Sequence, residues 1–267
     1  MKGKYAIAGI NKDGWMVLRD EKNNEDVFLL NVYSLDTMQL PKLELVTHYA
    51  YLSSTPDDSD CYIVMVNIGI ECCSISACKM GDKKFVTQQL DLQTAIASLI
   101  SFGGNMYALR HHNFTLVHVE LRGQSIEFEE LVSDDPFEDK SIGKQNSFSR
   151  IMCYIGESCD GIILVVKYFF GVSDRYIPFE NIRVFRADLS TKKWVEMETI
   201  GEHTIFLGSI GNLICIRSDN VNVKKNCIYF TERKDRKLYV FDMEDKSITV
   251  NLPCPNVTIR SHPLWIL

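Results

Sequence analysis

The sequence lacks most of the patterns by which an enzyme can be read. It has no G-x-S-x-G elbow. The nearest string, Gly156-Glu157-Ser158-Cys159-Asp160-Gly161, has the wrong spacing and reads as a hairpin, which sets serine hydrolysis aside. No glycine-rich loop of the kind that cradles phosphate is present, and no C-x-x-C pair of the kind zinc sites use. A basic surplus is also missing. Lys and Arg number 29 against 35 Asp and Glu, for a formal net charge of −6, which excludes a general nucleic-acid binder that must displace counterions from phosphate. The pairs Lys83-Lys84, Lys192-Lys193 and Lys224-Lys225 fall at expected turns and read as solvated hairpin tips. The longest apolar run, Ile162 to Phe170, is interrupted by Lys167 and is about half a bilayer span, so no membrane segment is expected. The apolar run Tyr5 to Ile10 is too short for a secretory core. Long amphipathic helical periodicity is absent as well; Leu90 to Ile100 is the best candidate for even one or two helical turns.

Cysteine is present, nine in all, but without a pattern. Cys72-Cys73, Cys78, Cys153, Cys159, Cys215, Cys227 and Cys254 mostly interrupt apolar runs, where a free thiol behaves as a small hydrophobe. Buried free thiols in a reducing compartment are the favoured reading, ahead of a disulfide framework or a metal site. The glycosylation patterns at Asn113 and Asn256 then read as chance matches.

The stretch from Cys227 to Cys254 shows what the chain does have. Apolar runs Cys227 to Thr231 and Leu238 to Asp242 flank a charged segment, and a third run follows the turn at Glu244 to Lys246. Leu238 and Val240 alternate with Tyr239 and Phe241, so this run is apolar on both faces and expects cover on both. Ile248, Val250 and Leu252 alternate with polar residues and expect cover on one face only. The strings LLNVYSLDTMQL, SISACKMGDKKF, VHVELRGQSIEF, VFRADLSTKKWV and YVFDMEDKSITV repeat the same order of β-run, polar or glycine turn, and β-run. Their centres near Asp36, Gly81, Gly123, Thr191 and Asp245 recur at roughly the 40 to 50 residues of a propeller blade, with insertions absorbing the excess. Leu99 to Leu131 is the clearest single unit: four runs separated by Gly103-Gly104-Asn105, Arg110 to Asn113 and Arg122-Gly123. The expected fold is all-β, a propeller of five or six four-stranded antiparallel blades, with residues 1–267 forming one domain.

Candidate sites are few. His111-His112 sit at an expected turn, where they read as exposed; Asp57-Asp58 and Asp134-Asp135 are paired only in sequence, whereas acid–base work needs carboxylates that converge across a cleft. The acidic stretch Glu127, Glu129, Glu130, Asp134, Asp135, Glu138 and Asp139 reads as a solvated connection between blades, since it lacks the spacing of a calcium loop. Trp15, Trp194 and Trp265 are expected to pack between blades rather than to form a binding patch. No catalytic, cofactor-binding or metal residue is assigned, and the partner-binding residues are not identified.

The segments DGWMVL, FLLNVYSLDTMQLP, KKWVEMETIGEHTIFLG, KKNCIYFTE, KLYVFDMEDKSI, LPCPN and HPLWIL together resemble the plant family of F-box-associated β-propellers, the kinase-interacting F-box-type propellers catalogued as a domain of unknown function. The resemblance runs from about Gly14 to Leu267 and is firmest from Trp194 onward. It implies a non-catalytic protein-interaction propeller, similar to the substrate-recognition domain of plant F-box subunits of SCF-type cullin ubiquitin ligases. It also implies an unidentified protein substrate, no cofactor, no nucleic-acid or membrane partner, and an intracellular place in cytoplasm or nucleus. No F-box is read before Tyr5. A Skp-type adaptor is therefore expected as a partner only if an F-box is restored. The alternative is a propeller enzyme or carbohydrate-binding lectin, which would need carboxylates, histidines or a metal converging on one channel.

Overall fold

The structure is a computed structural model and describes residues 4–8, 14–20, 22–23, 25–43, 48–68, 73–123, 125–134, 136, 150–159, 161–169, 179–208, 213–220, 223–231 and 237–253. Among them the regular structure is strand, apart from one three-residue 3-10 turn, Ser218–Asn220. Five sheets result, the blades of a β-propeller, so the lower of the two expected blade numbers holds. The described residues fall into two compact units, one up to Leu131 and one from Val132 onward.

The first unit holds three four-stranded meanders. They are β1 to β4 (Lys4–Ala8, Trp15–Asp20, Val27–Asn31, Thr37–Gln39), β5 to β8 (His48–Leu52, Tyr62–Ile68, Cys73–Lys79, Val86–Leu90) and β9 to β12 (Ile96–Phe102, Asn105–Arg110, Leu116–Arg122, Ser125–Val132). Their first strands are neighbours, β1 beside β5 and β5 beside β9. Strand β6 shows why a continuous apolar run suits a middle blade. Ile63 and Met65 enter the core shared with the first sheet, while Val64 and Val66 enter the core shared with the third. The turn between β9 and β10 is the two-residue Gly103-Gly104 step, both at positive φ (58° and 76°), as a tight right-twisted hairpin requires.

The second unit holds β13 to β16 (Arg150–Ser158, Gly161–Phe169, Phe179–Asp188, Lys193–Met197) and a fifth sheet of β17 to β21 (His203–Leu207, Leu213–Arg217, Cys227–Thr231, Lys237–Asp242, Ile248–Pro253). This last sheet departs from the four-stranded antiparallel expectation. It has five strands in the order β18-β17-β19-β20-β21, and β17 runs parallel to β19. The cause is a hairpin, β17 with β18, that places β18 at the edge of the sheet and lays it against β13. Gly156 of β13 makes room for it: a Cβ there would lie 2.4 Å from Leu213 Cδ1 and 2.7 Å from the Leu213 carbonyl oxygen. The core between the two sheets joins Ile163, Val165, Ile182 and Val184 to Ile205, Ile228, Phe230 and Phe241. Lys167 is buried on this side, its ammonium 4.0 Å from the centroid of the Phe230 ring.

The five repeated strings fall on the hairpins that join the last two strands of each sheet: β3–β4, β7–β8, β11–β12, β15–β16 and β20–β21. Three share one device. The last residue of the strand entering the hairpin, Asn31, Asp188 or Asp242, accepts backbone N–H bonds from the turn on its own side-chain Oδ1: Tyr33 and Ser34 at 2.9 and 3.1 Å, Ser190 and Thr191 at 2.9 and 3.2 Å, Glu244 at 2.8 Å. Four residues on, Leu35, Lys192 and Lys246 take positive φ (63°, 57° and 58°). The other two hairpins place glycine, Gly81 or Gly123, in the left-handed region instead.

Two further expectations are corrected. Leu90 to Ile100 is not helical: β8 ends at Leu90, Asp91 and Thr94 close a turn, and β9 begins at Ile96. Ile248 and Val250 are exposed (38% and 54%), so the apolar side of β21 is open where cover was expected. Strands β5, β17 and β18 have no counterpart in the sequence reading.

Candidate functional site

Trp15 is buried in the core between the first two sheets, which bears out packing between blades for it; Trp194 is buried as well, and Trp265 lies outside the described residues. His111 and His112 are exposed in the β10–β11 turn, and Asp57 and Asp58 are exposed in the β5–β6 connection. Of the acidic stretch, Glu127, Glu129 and Glu130 are not in a loop but on β12, an edge strand whose outward charges discourage pairing with another chain. Glu127 and Glu130 pair with Arg122 (3.8 Å) and Arg110 (2.9 Å). Asp134 is half-buried, and Asp135, Glu138 and Asp139 lie outside the described residues.

In the first unit an open depression of about 560 Å³ is lined by Cys73, Leu90, Asp91, Leu92 and Gln93. Its one carboxylate, Asp91, already accepts from Thr94 N and Thr94 Oγ1, both at 2.7 Å, and these bonds, led by the hydroxyl, hold it below its ordinary range. An acid–base pair is not assembled there. Among the described residues no group of three or more His, Cys, Asp or Glu gathers as a metal site, and no helix is long and apolar enough to cross a membrane.

Charge and chemistry converge instead at one end of the second unit. The β13–β14 turn, the approach to β17 and the segment after β18 meet there. Cys159 Sγ lies 3.2 Å from His203 Nε2, and His203 Nδ1 lies 3.3 Å from the Ile200 carbonyl. Asn226 ties the segment down: its Oδ1 accepts from Ile200 N and Thr199 Oγ1, each at 2.9 Å, and its N–H donates to the His203 carbonyl at 2.8 Å. Beneath, Thr204 Oγ1 is 2.8 Å from both Ser218 Oγ and the Lys224 carbonyl, and Ser218 Oγ donates to the Glu202 carbonyl at 2.9 Å. Paired charges surround this frame: Arg217 with Asp219 (3.2 Å), Lys225 with Glu202 (2.7 Å), Lys224 with Asp242 (2.6 Å) and Lys246 with Glu198 (3.7 Å). Hydrogen bonding to its carboxylate raises each of Arg217, Lys224 and Lys225, and the bond from Lys224 lowers Asp242. The result is a surface of alternating charge with one exposed thiol in it. The thiol and imidazole stand 44 residues apart in the chain, beyond the reach of any spacing motif.

The profile of the family described as KIB1-4 beta-propeller matches residues 2–250. The F-box/kelch-repeat protein At1g57790 of Arabidopsis thaliana is 25% identical over 252 residues, covering 88% of this chain and 64% of its own length. The F-box protein At2g17690 of the same plant is 29% identical over 79 residues, 27% of this chain and 19% of its own. The chain thus spans less than two thirds of the curated relatives it matches. A solved structure titled as a putative 6-phosphogluconolactonase from Bacteroides fragilis aligns over 93% of this chain and 66% of its own, at 12% identity and a TM-score of 0.40, too slight a likeness to carry fold or chemistry.

Proposed function

The chain belongs to the KIB1-4 β-propeller family, and from that premise we propose that it is a non-catalytic protein-interaction module that selects a protein partner, as the substrate-recognition part of an SCF-type ubiquitin ligase would. The observation that carries this is the family match through all five sheets, together with the F-box relative that aligns over most of the chain. Two structural features support it. Hairpin turns on a rigid blade can vary in sequence without disturbing the strands, and the charged end of the second unit offers paired groups to a complementary surface.

Docking on a Skp-type adaptor is a task for the helices of an F-box. The described residues contain one three-residue 3-10 turn and no longer helix, which supports a reading in which they do not make that contact themselves. A purified chain titrated against a Skp-type adaptor is expected to show no binding, while an F-box relative used as control binds. Photo-cross-linking residues at Leu189, Lys225 and Lys246, turn or surface positions of the second unit, are expected to capture a discrete protein from plant extract. Micromolar binding to the adaptor, or turnover of a small molecule with no protein captured, would overturn the reading.

A further inference from the structure

Seven cysteines lie among the described residues. Cys61, Cys73, Cys78 and Cys227 are buried, Cys153 and Cys215 are half-buried, and Cys159 is exposed. Burial is the main reason the Cys78 and Cys227 thiols are each pushed up to about 11, where they stay protonated and inert. Cys159 has the opposite surroundings. It stands in the turn after β13, next to the hydrogen bond that Ser158 Oγ donates to the Gly161 carbonyl at 3.2 Å.

Its partner is oriented for proton transfer. A carbonyl oxygen only accepts, so the contact of His203 Nδ1 with Ile200 O places the ring hydrogen on Nδ1 and leaves Nε2 to accept from the Cys159 thiol. The carbonyl in question is held in place, because Ile200 N is fixed by Asn226 and His203 N donates back to Ile200 O at 3.2 Å. A cation completes the group. Arg217 on β18 is the cross-strand partner of His203 on β17 and is itself held by Asp219. This is the arrangement that activates a nucleophile: a thiol, a base within hydrogen-bond reach, and a third group that orients the base.

We infer that Cys159, with His203 as proton acceptor and Arg217 as the neighbouring cation, is a nucleophilic thiol and a site of covalent modification by small soft electrophiles. The thiol proton passes to His203 Nε2 and a sulfur electron pair attacks the electrophile. With iodoacetamide an S–C bond forms, the C–I bond breaks, iodide leaves, and the imidazolium returns its proton to solvent. With a hydroperoxide an S–O bond forms as the O–O bond breaks. The sulfur is oxidised to sulfenic acid, the peroxide is reduced, and the departing oxygen takes the imidazolium proton.

The probe is iodoacetamide on the full chain at neutral pH, with the rate at each cysteine read by peptide mass spectrometry and referred to glutathione in the same solvent. Cys159 is expected to react about tenfold faster in the native chain than in the urea-unfolded chain, although unfolding only increases access. His203→Gln should bring the native rate down to the unfolded one, and Arg217→Gln, at an exposed side chain, should lower it by a smaller factor. A native rate at or below the unfolded rate, or a folded His203→Gln chain that reacts as fast as the parent, overturns the inference. If His203→Gln does not fold, the native-to-unfolded ratio in the unaltered chain decides.

Discussion

Gly156 is the residue on which the packing of β18 against β13 depends. Its missing side chain leaves the space that Leu213 occupies, and one of the atoms in the way is a backbone oxygen, 2.7 Å from the position of a Cβ. A flexible side chain can rotate aside, but a carbonyl carries its strand with it. Gly156→Ala is therefore expected to lower stability by about 1–3 kcal/mol, as overpacking in a core does, seen as a shift of the urea midpoint. Adding Leu213→Ala should not restore it, because the carbonyl remains; full rescue by the second substitution would contradict this account. Nothing in the sequence around Gly156 announces the role. The glycine sits in a string that reads as an ordinary hairpin, and its neighbour in space is 57 positions away, Leu213 against Gly156. The Cys159–His203 pair was hidden for the same reason, whereas Trp15 and Trp194 were legible because a large apolar ring is buried on its own account.

At the scale of the element, the hairpin between the last two strands of each sheet is the repeated unit, and its turn chemistry explains why five diverged copies remained visible. In three copies an Asx residue at the strand end and a left-handed residue four positions later, and in the other two a left-handed glycine, are local requirements, so they leave a local signature. Asp188 tests the device. Hydrogen bonds from Ser190 and then Thr191 bring its carboxyl down to about 2. A depressed pKa contributes stability that is fully present above the unfolded value near 3.9 and is lost as the pH falls through the folded value. Asp188→Asn keeps an acceptor of the kind Asn31 supplies in the first sheet but removes the titration. The variant should match the parent's dependence above about pH 5, and between pH 4 and 2 the parent should lose stability that the variant does not. Parallel curves across that window would show that the side chain does not act through its charge. The hairpin β17–β18 left no such signature. Its strands are apolar like the others, and their rank in the sheet is decided by what they pack on, not by their own turn.

At the scale of the whole molecule, the family profile runs without a break through both compact units, and we propose one domain on that ground. The expected result is a single unfolding transition and no half-length fragment surviving limited proteolysis; two separate transitions would contradict it. The all-β class, the propeller of five or six blades and the hairpins were open to reading because each rests on alternation and turn residues. The charged end of the second unit was not, since Arg217, Lys224, Lys225, Glu202 and Asp242 come together only through the strand order of the fifth sheet. The central claim is the proposal that the chain works by docking a protein, and that surface is where it can be tested. The direct measurement is a calorimetric titration of the purified chain with the purified protein that photo-cross-linking captures, run beside a Lys224→Glu, Lys225→Glu double variant. The account predicts saturable one-to-one binding at about micromolar or tighter, weakened about tenfold or more by reversing the two charges; no saturable heat with the parent chain would contradict it.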